Sequence, residues 1–376
     1  MNSVFKKIVS AVALVAMLTT SVVALASCGG KDEGGAFKIG ATGPLTGEAA
    51  SYGISVQNGA ALAVKHLNAK DGVQFEFKIL DDKAGAEDAA TNYDTLADWG
   101  MQFSLGGVTS GSGEAFATKA NAEGIFCMTP SGSADRVIDN LKYSFRLCFG
   151  DPDQGTLAAE KIKAEGYANV GAMYDTSDTY STGIYEAFEA KMAELGIKYT
   201  VKTFDAESKL DFSTQANDLK DCDVIFMPFY YTEAALFINK AVEKQSNAVF
   251  FGCDGFDGIA DKVATVENKI MYITPFDINS TETNVKDFVA AYKAEYNMDP
   301  DQFAADAYDV VMVLAAALEK KGVTDYSLSA AELGDILYET VTASDFSYTG
   351  LTGNDMTWST DGKCTKAPKI VVLGGN

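Results

Sequence analysis

From residue 37 onward the chain alternates short apolar runs with longer stretches of helical periodicity. FKIGAT (37–42) reads as a strand, and FEFKILDD (75–82), MQFSLGGV (101–108) and GIFCMTP (124–130) repeat the pattern. Between them, residues 53–68, 86–99 and 112–123 place apolar side chains three and four positions apart, the spacing of one helical face. In the first of these helices the predicted inward stripe is Ile54, Ala60, Ala61, Val64 and Leu67. After Asp151 the units recur: helix 153–166, strand NVGAMYD, helix 180–195, strands IKYTVKTF and DVIFMPF, helix 232–245 and strand NAVFFGCD. Strands separated by helices of roughly 10–16 residues predict βαβ units, hence a parallel sheet covered on both faces.

Two such series predict an α/β protein of two doubly wound parallel-sheet lobes. Three further helices (about 283–296, 303–321 and 329–341) and a short β region (about 346–373) are expected to complete them. The expected division assigns 37–150 with 277–345 to lobe 1 and 151–276 with 346–376 to lobe 2. The chain then crosses between the lobes more than once, which makes a hinge. In open α/β sheets ligands lie beyond the carboxyl ends of the strands. The residues just after the strands are therefore the ones that carry function.

The first 27 residues read as a leader. Lys6 and Lys7 precede an apolar run, IVSAVALVAMLTTSVVALA, which stops at Leu25-Ala26-Ser27-Cys28. That tetrapeptide is similar to the lipobox of bacterial lipoproteins, a resemblance that implies cleavage before Cys28 and lipid on its sulfur. A plain secretory signal or an uncleaved anchor is the alternative. Residues 28–36, CGGKDEGGA, read as a flexible tether, and the expectation is a body held outside the cytoplasmic membrane.

Composition narrows the chemistry. The net charge of −22 becomes −24 without the leader, with 28 basic against 52 acidic residues. Such a body repels nucleic acid and anionic membrane. The remaining cysteines (Cys127, Cys148, Cys222, Cys253 and Cys364) are odd in number, widely spaced and without a CxxC pair, so they suit neither a disulfide framework nor a metal site. Most stand in apolar runs and read as small buried hydrophobes. The single histidine, His66, lies on a predicted helix near Lys65 and Lys70 and reads as a solvated residue. With one histidine and no GxSxG, the chain offers little for catalysis; no enzyme activity, cofactor or metal is expected.

The strand ends are GPLTGEAASYG (43–53), GGVTSGSG (106–113), TPSGS (129–133), YDTSDTYSTG (174–183), PFYYTE (228–233) and GCDGFDG (252–258). GGVTSGSG has the GxxxxG spacing of a phosphate loop, but Ser112 and Gly113 stand where Lys-Ser/Thr should follow. Together the loops resemble the leucine/isoleucine/valine-binding family of type I periplasmic binding proteins, the extracytoplasmic receptors of ABC importers. EGIFCMTPSGSADRVID and FGDPDQGTLAAEKI are particularly similar, and the likeness runs from about Phe37 to the C-terminus.

The resemblance implies a monomeric binding protein that closes around an amino acid and delivers it to a membrane permease. Carried over by position, it implies that Tyr52 lies over the ligand. Ser110 holds its α-carboxylate, Ser131 contacts it through the backbone, and Ser133 faces it with hydroxyl and amide. Tyr180 and Tyr230 close over it from the second lobe, and Asp254 pairs with the α-ammonium. Val108, Phe276 and Phe303 would wall a side-chain pocket of branched-chain or other apolar type.

The residue types agree. Amides at a helix N-terminus with serine hydroxyls suit a carboxylate, a carboxylate suits an ammonium, and tyrosines offer flat lids with a polar tip. Taken singly, Asp254 also suits a turn, the serines also suit helix caps, and Tyr180, Tyr230, Phe276 and Phe303 also suit packing. Tyr231 replaces Tyr230 if the register moves by one. A receptor of the same fold for a short amide or aromatic acid, or a sensing ectodomain acting through a partner, is the alternative function.

Overall fold

The computed structural model describes residues 35–263 and 267–374; the expected leader and Cys28 lie outside the described residues. The chain runs β1 (Phe37–Gly43), α1 (Ala50–Asn68), β2 (Phe75–Asp81), α2 (Ala86–Asp98), β3 (Phe103–Gly107), α3 (Ser110–Ala122), β4 (Cys127–Thr129) and β5 (Ser144–Arg146). It continues α4 (Asp151–Glu165), β6 (Val170–Asp175), α5 (Thr179–Glu194), β7 (Thr200–Phe204), α6 (Ser213–Leu219), β8 (Val224–Met227), α7 (Tyr231–Glu243), β9 (Val249–Gly252) and β10 (Ile270–Thr274). Helices α8 (Thr283–Tyr296), α9 (Gln302–Lys321) and α10 (Ala330–Val341) precede a last strand, β11 (Lys369–Leu373).

The strands form two sheets, ordered β2-β1-β3-β4-β5 and β11-β10-β9-β8-β6-β7. Every pairing is parallel except β10 with β11, which is antiparallel. The strand cores are apolar on both faces, as in VIFM of β8, where all four residues are buried. That pattern belongs to a parallel strand covered by helices on either side. The two doubly wound lobes expected from the alternation are present.

Four features stop and start the helices that follow the strands. Asp178 caps α5, its carboxylate accepting from Ser181 N at 2.9 Å. Asp301 does the same for α9 through Ala304 N at 2.9 Å, and Gly322 ends that helix in the left-handed conformation after Lys320 and Lys321. Ser329 and Glu332 form a capping box on α10.

The long helix α9 returns from the second sheet and packs along α1. Gly59 is required at their crossing, since a Cβ there would meet Ala304 O at 2.0 Å. This crossing shifts the buried face of α1 from the predicted stripe. Val56, Ala60 and Ala63 are fully buried, while Ile54 is 38 % exposed. His66, expected in solvent, instead places Nδ1 2.9 Å from the Tyr308 hydroxyl on α9.

The segment 346–366, expected in the second lobe, packs against first-lobe elements. Trp358 Nε1 donates to Arg146 O at 3.0 Å, and Asp309 of α9 accepts from Leu351 N at 2.9 Å. Only β11 enters the second sheet. The chain thus passes between the sheets after β5, after β10 and before β11.

Candidate ligand-binding cleft

The strand ends of both sheets face each other across one cleft. Tyr52 lies in the first turn of α1 after β1, Ser110 opens α3 after β3, and Ser131 follows β4. Opposite stand Tyr180 at the start of α5 after β6, Tyr230 before α7 after β8, and Asp254 after β9. All six border a central cavity, with Val108, Thr109, Gly255 and Phe303. Its volume of about 10 Å³ is the scale of a single water.

Asp254 is the electrostatic centre. Its side chain is buried, and one carboxylate oxygen, Oδ1, accepts from the Tyr180 hydroxyl at 2.7 Å and Gly255 N at 3.0 Å. Its other oxygen has no hydrogen-bond partner among the described residues, and no cation there pairs with it. Burial raises its pKa to about 6, although the Tyr180 hydroxyl, Gln154 and the Gly255 amide pull it down. The backbone around it is pinned from both sides: Asp254 N donates to Gln154 Oε1 at 3.0 Å, and Gln302 Nε2 donates to Asp254 O at 2.6 Å.

Aromatic rings close the cleft. Tyr180 and Tyr230 stack at 4.9 Å and 6°, and Tyr52 lies 4.3 Å from Phe303. The Tyr52 hydroxyl reaches across to the second lobe, donating to Gly255 O at 2.5 Å and accepting from Tyr231 N at 3.2 Å. Gly255 has no room for a side chain, because a Cβ would meet the Tyr180 hydroxyl at 2.8 Å and the Tyr230 ring at 3.1 Å.

The serines differ in what they have left to offer. Ser110 stands in the first turn of α3 and its hydroxyl accepts from Ala134 N at 3.2 Å, while the helix N-terminus faces the cavity with unpaired amides. Ser131 spends its hydroxyl on Val108 O at 2.7 Å, so it adds no free hydroxyl to the cavity. Ser133 is fully buried, its hydroxyl has no partner, and it lies outside the cavity wall.

Of the three predicted pocket walls, Val108 and Phe303 border the cavity and Phe276 does not. Phe276 lies edge-on to Phe288 at 6.1 Å in a core with Leu62, Val285 and Tyr292. The fold turns it inward because it follows β10 directly into the crossover. Gln154 and Gln302 were not among the residues singled out by position. Gln154 stands in the run FGDPDQGTLAAEKI, whose polar residue within a helix start was the available signal. Gln302 had none, because its partner is 48 residues away.

A wider hollow of about 330 Å³ lies at the cleft mouth and shares Tyr230 with the central cavity. Lys209 spans this mouth, pairing with Glu48 of the first lobe and with Glu233 at 3.3 Å. The cysteines Cys127, Cys148 and Cys253 are buried and unbridged, and burial raises each thiol pKa.

Residues 36–367 match the periplasmic binding protein family. The chain belongs to this family. It is a solute-binding protein of the kind that serves ABC transporters, a class that works outside the cytoplasm. Among relatives of this binding protein, the leucine-, isoleucine-, valine-, threonine- and alanine-binding protein of Pseudomonas aeruginosa is 30 % identical over 320 residues, 82 % of this chain and 84 % of the relative. The branched-chain amino acid transporter substrate-binding protein LivJ of Streptococcus pneumoniae, solved with isoleucine, is 28 % identical with a TM-score of 0.80, covering 90 % of this chain and 97 % of that one. A solute-binding protein from R. palustris, solved with benzoate, shares the fold at 18 % identity and a TM-score of 0.80, covering 90 % and 96 %. No helix among the described residues is long and apolar enough to cross a membrane.

Proposed function

We propose that this protein captures a free amino acid, of branched-chain or other apolar type, between its lobes and presents it to the membrane permease of an ABC importer, held to the membrane by lipid on Cys28. The observation that carries this reading is Asp254, a buried carboxylate with one oxygen unanswered and facing the cleft. A zwitterion supplies the missing cation there, and its carboxylate suits the amides and Ser110 hydroxyl at the start of α3. The two charges then bind different lobes, so the solute stabilises closure. Tyr180 and Tyr230 form the lid over it, and Tyr52, Val108 and Phe303 supply apolar wall.

Seating a solute in a cavity of about 10 Å³ requires the lobes to part at the Tyr52–Gly255 hydrogen bond. Ser131 and Ser133 then lie at the seam. The second reading is an aromatic acid, favoured by the stacked Tyr180–Tyr230 pair. It leaves Asp254 without a cation, which is why the amino acid is preferred.

A thermal-shift panel of the twenty L-amino acids and benzoate, on protein first unfolded and refolded free of ligand, tests the choice. Ligands that bind only the folded state raise its melting temperature. Branched-chain amino acids should do so, while 2-hydroxy-4-methylpentanoate, which lacks the ammonium, should not. A shift with benzoate and none with any amino acid sinks the proposal.

A further inference from the structure

The carboxylate of Asp254 is held in part by its own backbone. The amide of the next residue, Gly255 N, donates to Asp254 Oδ1 at 3.0 Å and to the Tyr180 hydroxyl at 2.9 Å. That N–H belongs to the same planar group as the Asp254 carbonyl, so whatever fixes the carbonyl fixes the direction of the N–H. The carbonyl is fixed from the opposite lobe. Gln302, 2 % exposed at the start of α9, donates from Nε2 to Asp254 O at 2.6 Å. One peptide further on, Tyr52 of α1 donates to Gly255 O at 2.5 Å. Two consecutive carbonyls of the second lobe are thus gripped by two side chains of the first.

The two grips share one platform. Asp301 caps α9 through Ala304 N, and its other oxygen, Oδ2, accepts from the Ser55 hydroxyl at 2.6 Å. Ser55 stands one helical turn after Tyr52, on the same face of α1. The backbone of Gln302 is tied to the opposite loop as well, its N donating to Asp257 Oδ2 at 3.0 Å. The start of α9 is therefore anchored to α1 behind it and to residues 254–257 in front. When the lobes part at the Tyr52–Gly255 bond to admit a solute, the Gln302–Asp254 bond one residue earlier parts with it.

We infer that Gln302 is a positioning residue for solute capture: from the first lobe it sets the peptide plane that aims the free oxygen of Asp254 into the cleft, so the acid reaches its binding geometry only on closure. This rests on the amino-acid reading above. In the open protein the Asp254–Gly255 peptide loses its outside hold, and its N–H is free to turn away from the carboxylate. Closure restores both. Gln302 does this without bordering the central cavity itself. The device has a signature in pH. The Gly255 amide is one of the groups that pull the Asp254 pKa down against burial, to about 6. Without Gln302 that pull weakens, and the pH at which the acid ionises rises.

Stopped-flow binding of L-leucine to wild-type protein and to Gln302→Met, from about pH 5 to about pH 8, tests this. Methionine keeps the length of the side chain and removes the donor. One buried hydrogen bond lost from the closed state is expected to speed leucine release by up to about tenfold and to leave association unchanged. The pH below which affinity falls, about 6 in the wild type, should move upward in the variant. A residue that merely held the lobes together would speed release and leave that pH where it is. Faster release with an unmoved pH break therefore overturns the inference, as do identical rates and profiles. If Gln302→Met fails to fold, Gln302→Asn, an amide too short to reach Asp254 O, is read in the same way. These outcomes leave the function reading standing, because the wild type still binds leucine. A wild-type protein that binds no L-leucine sinks that reading and the inference with it.

Discussion

Two groups of buried acids sit within this fold, and they are treated in opposite ways. Asp306 and Asp309 on α9 are buried as deeply as Asp254, but the protein gives Asp306 a cation and Asp309 hydrogen-bond donors on both oxygens. Lys366, whose side chain is fully buried, pairs with Asp306 at 2.6 Å and with the Thr352 hydroxyl at 2.7 Å. Asp309 accepts from Leu351 N at 2.9 Å, Thr352 N at 3.0 Å and the Thr352 hydroxyl at 2.8 Å. Asp254 in the cleft has one oxygen hydrogen-bonded and no cation, and Asp151, beside a separate hollow, has neither oxygen hydrogen-bonded. Burial alone therefore does not distinguish a site from a scaffold. What distinguishes them is the bonding capacity left for something outside the chain.

The comparison breaks most sharply at Lys366. Replacing it (Lys366→Met) leaves Asp306 buried without its cation, a loss expected to destabilise the fold by about 3–5 kcal/mol. Chemical denaturation at pH 7 would show it. The coulombic pull of Lys366 lowers the Asp306 pKa against burial, so without it that pKa rises. A raised carboxylate pKa favours the folded state as pH falls, so the variant should regain stability on acidification toward pH 5. Equal stability of variant and wild type would mean that the pair is idle.

Asp254→Asn should do the reverse, sparing the fold and removing the function. Loss of the ammonium's partner is expected to weaken amino-acid binding by about 2–5 kcal/mol. Because the Asp254 pKa is raised to about 6, its ionised form costs the free protein stability above that pH, and asparagine relieves the cost. Melting temperature at pH 7 should hold or rise. The same sign fixes the pH dependence of binding. An ammonium needs the ionised carboxylate, so wild-type affinity should fall by about tenfold per pH unit below pH 6 for one proton. Unchanged affinity by calorimetry would sink the assignment.

The fold was legible where periodicity was strong, and the reasons for the misses are local. Long helices such as α5 and α9 declare themselves by spacing, and buried parallel strands by unbroken apolar runs. The three-residue β5 and the polar α6, STQANDL, carry too few positions to show a period. The face of α1 was misjudged because Gly59, which admits α9, reads in sequence only as a small residue. Of the candidate site residues, those directly after strands converge on one cavity, since strand ends converge in any doubly wound sheet. Phe276 does not, because an aromatic after a strand serves the core as readily as a pocket. Asp151 was visible in FGDPDQG but not interpretable: nothing in sequence says that its carboxylate lacks a partner.

The smallest expected effect belongs to the mouth of the cleft, where a charge contact joins the lobes without burial. Lys209 is 30 % exposed and Glu48 53 %, so water and salt screen their attraction. Such pairs contribute about 0–1 kcal/mol. Yet the contact forms only when the lobes close, because Glu48 and Lys209 follow strands of different sheets. Whatever it contributes therefore acts on closure rather than on the stability of either lobe. Lys209→Ala should leave the melting temperature of the free protein near its wild-type value and speed ligand release by up to about fivefold at low ionic strength. In 0.5 M salt, where the Debye length is only about 4 Å, variant and wild type should release ligand at the same rate. A difference in release that persists undiminished in high salt would show that the lysine acts through packing of its stem rather than through its charge.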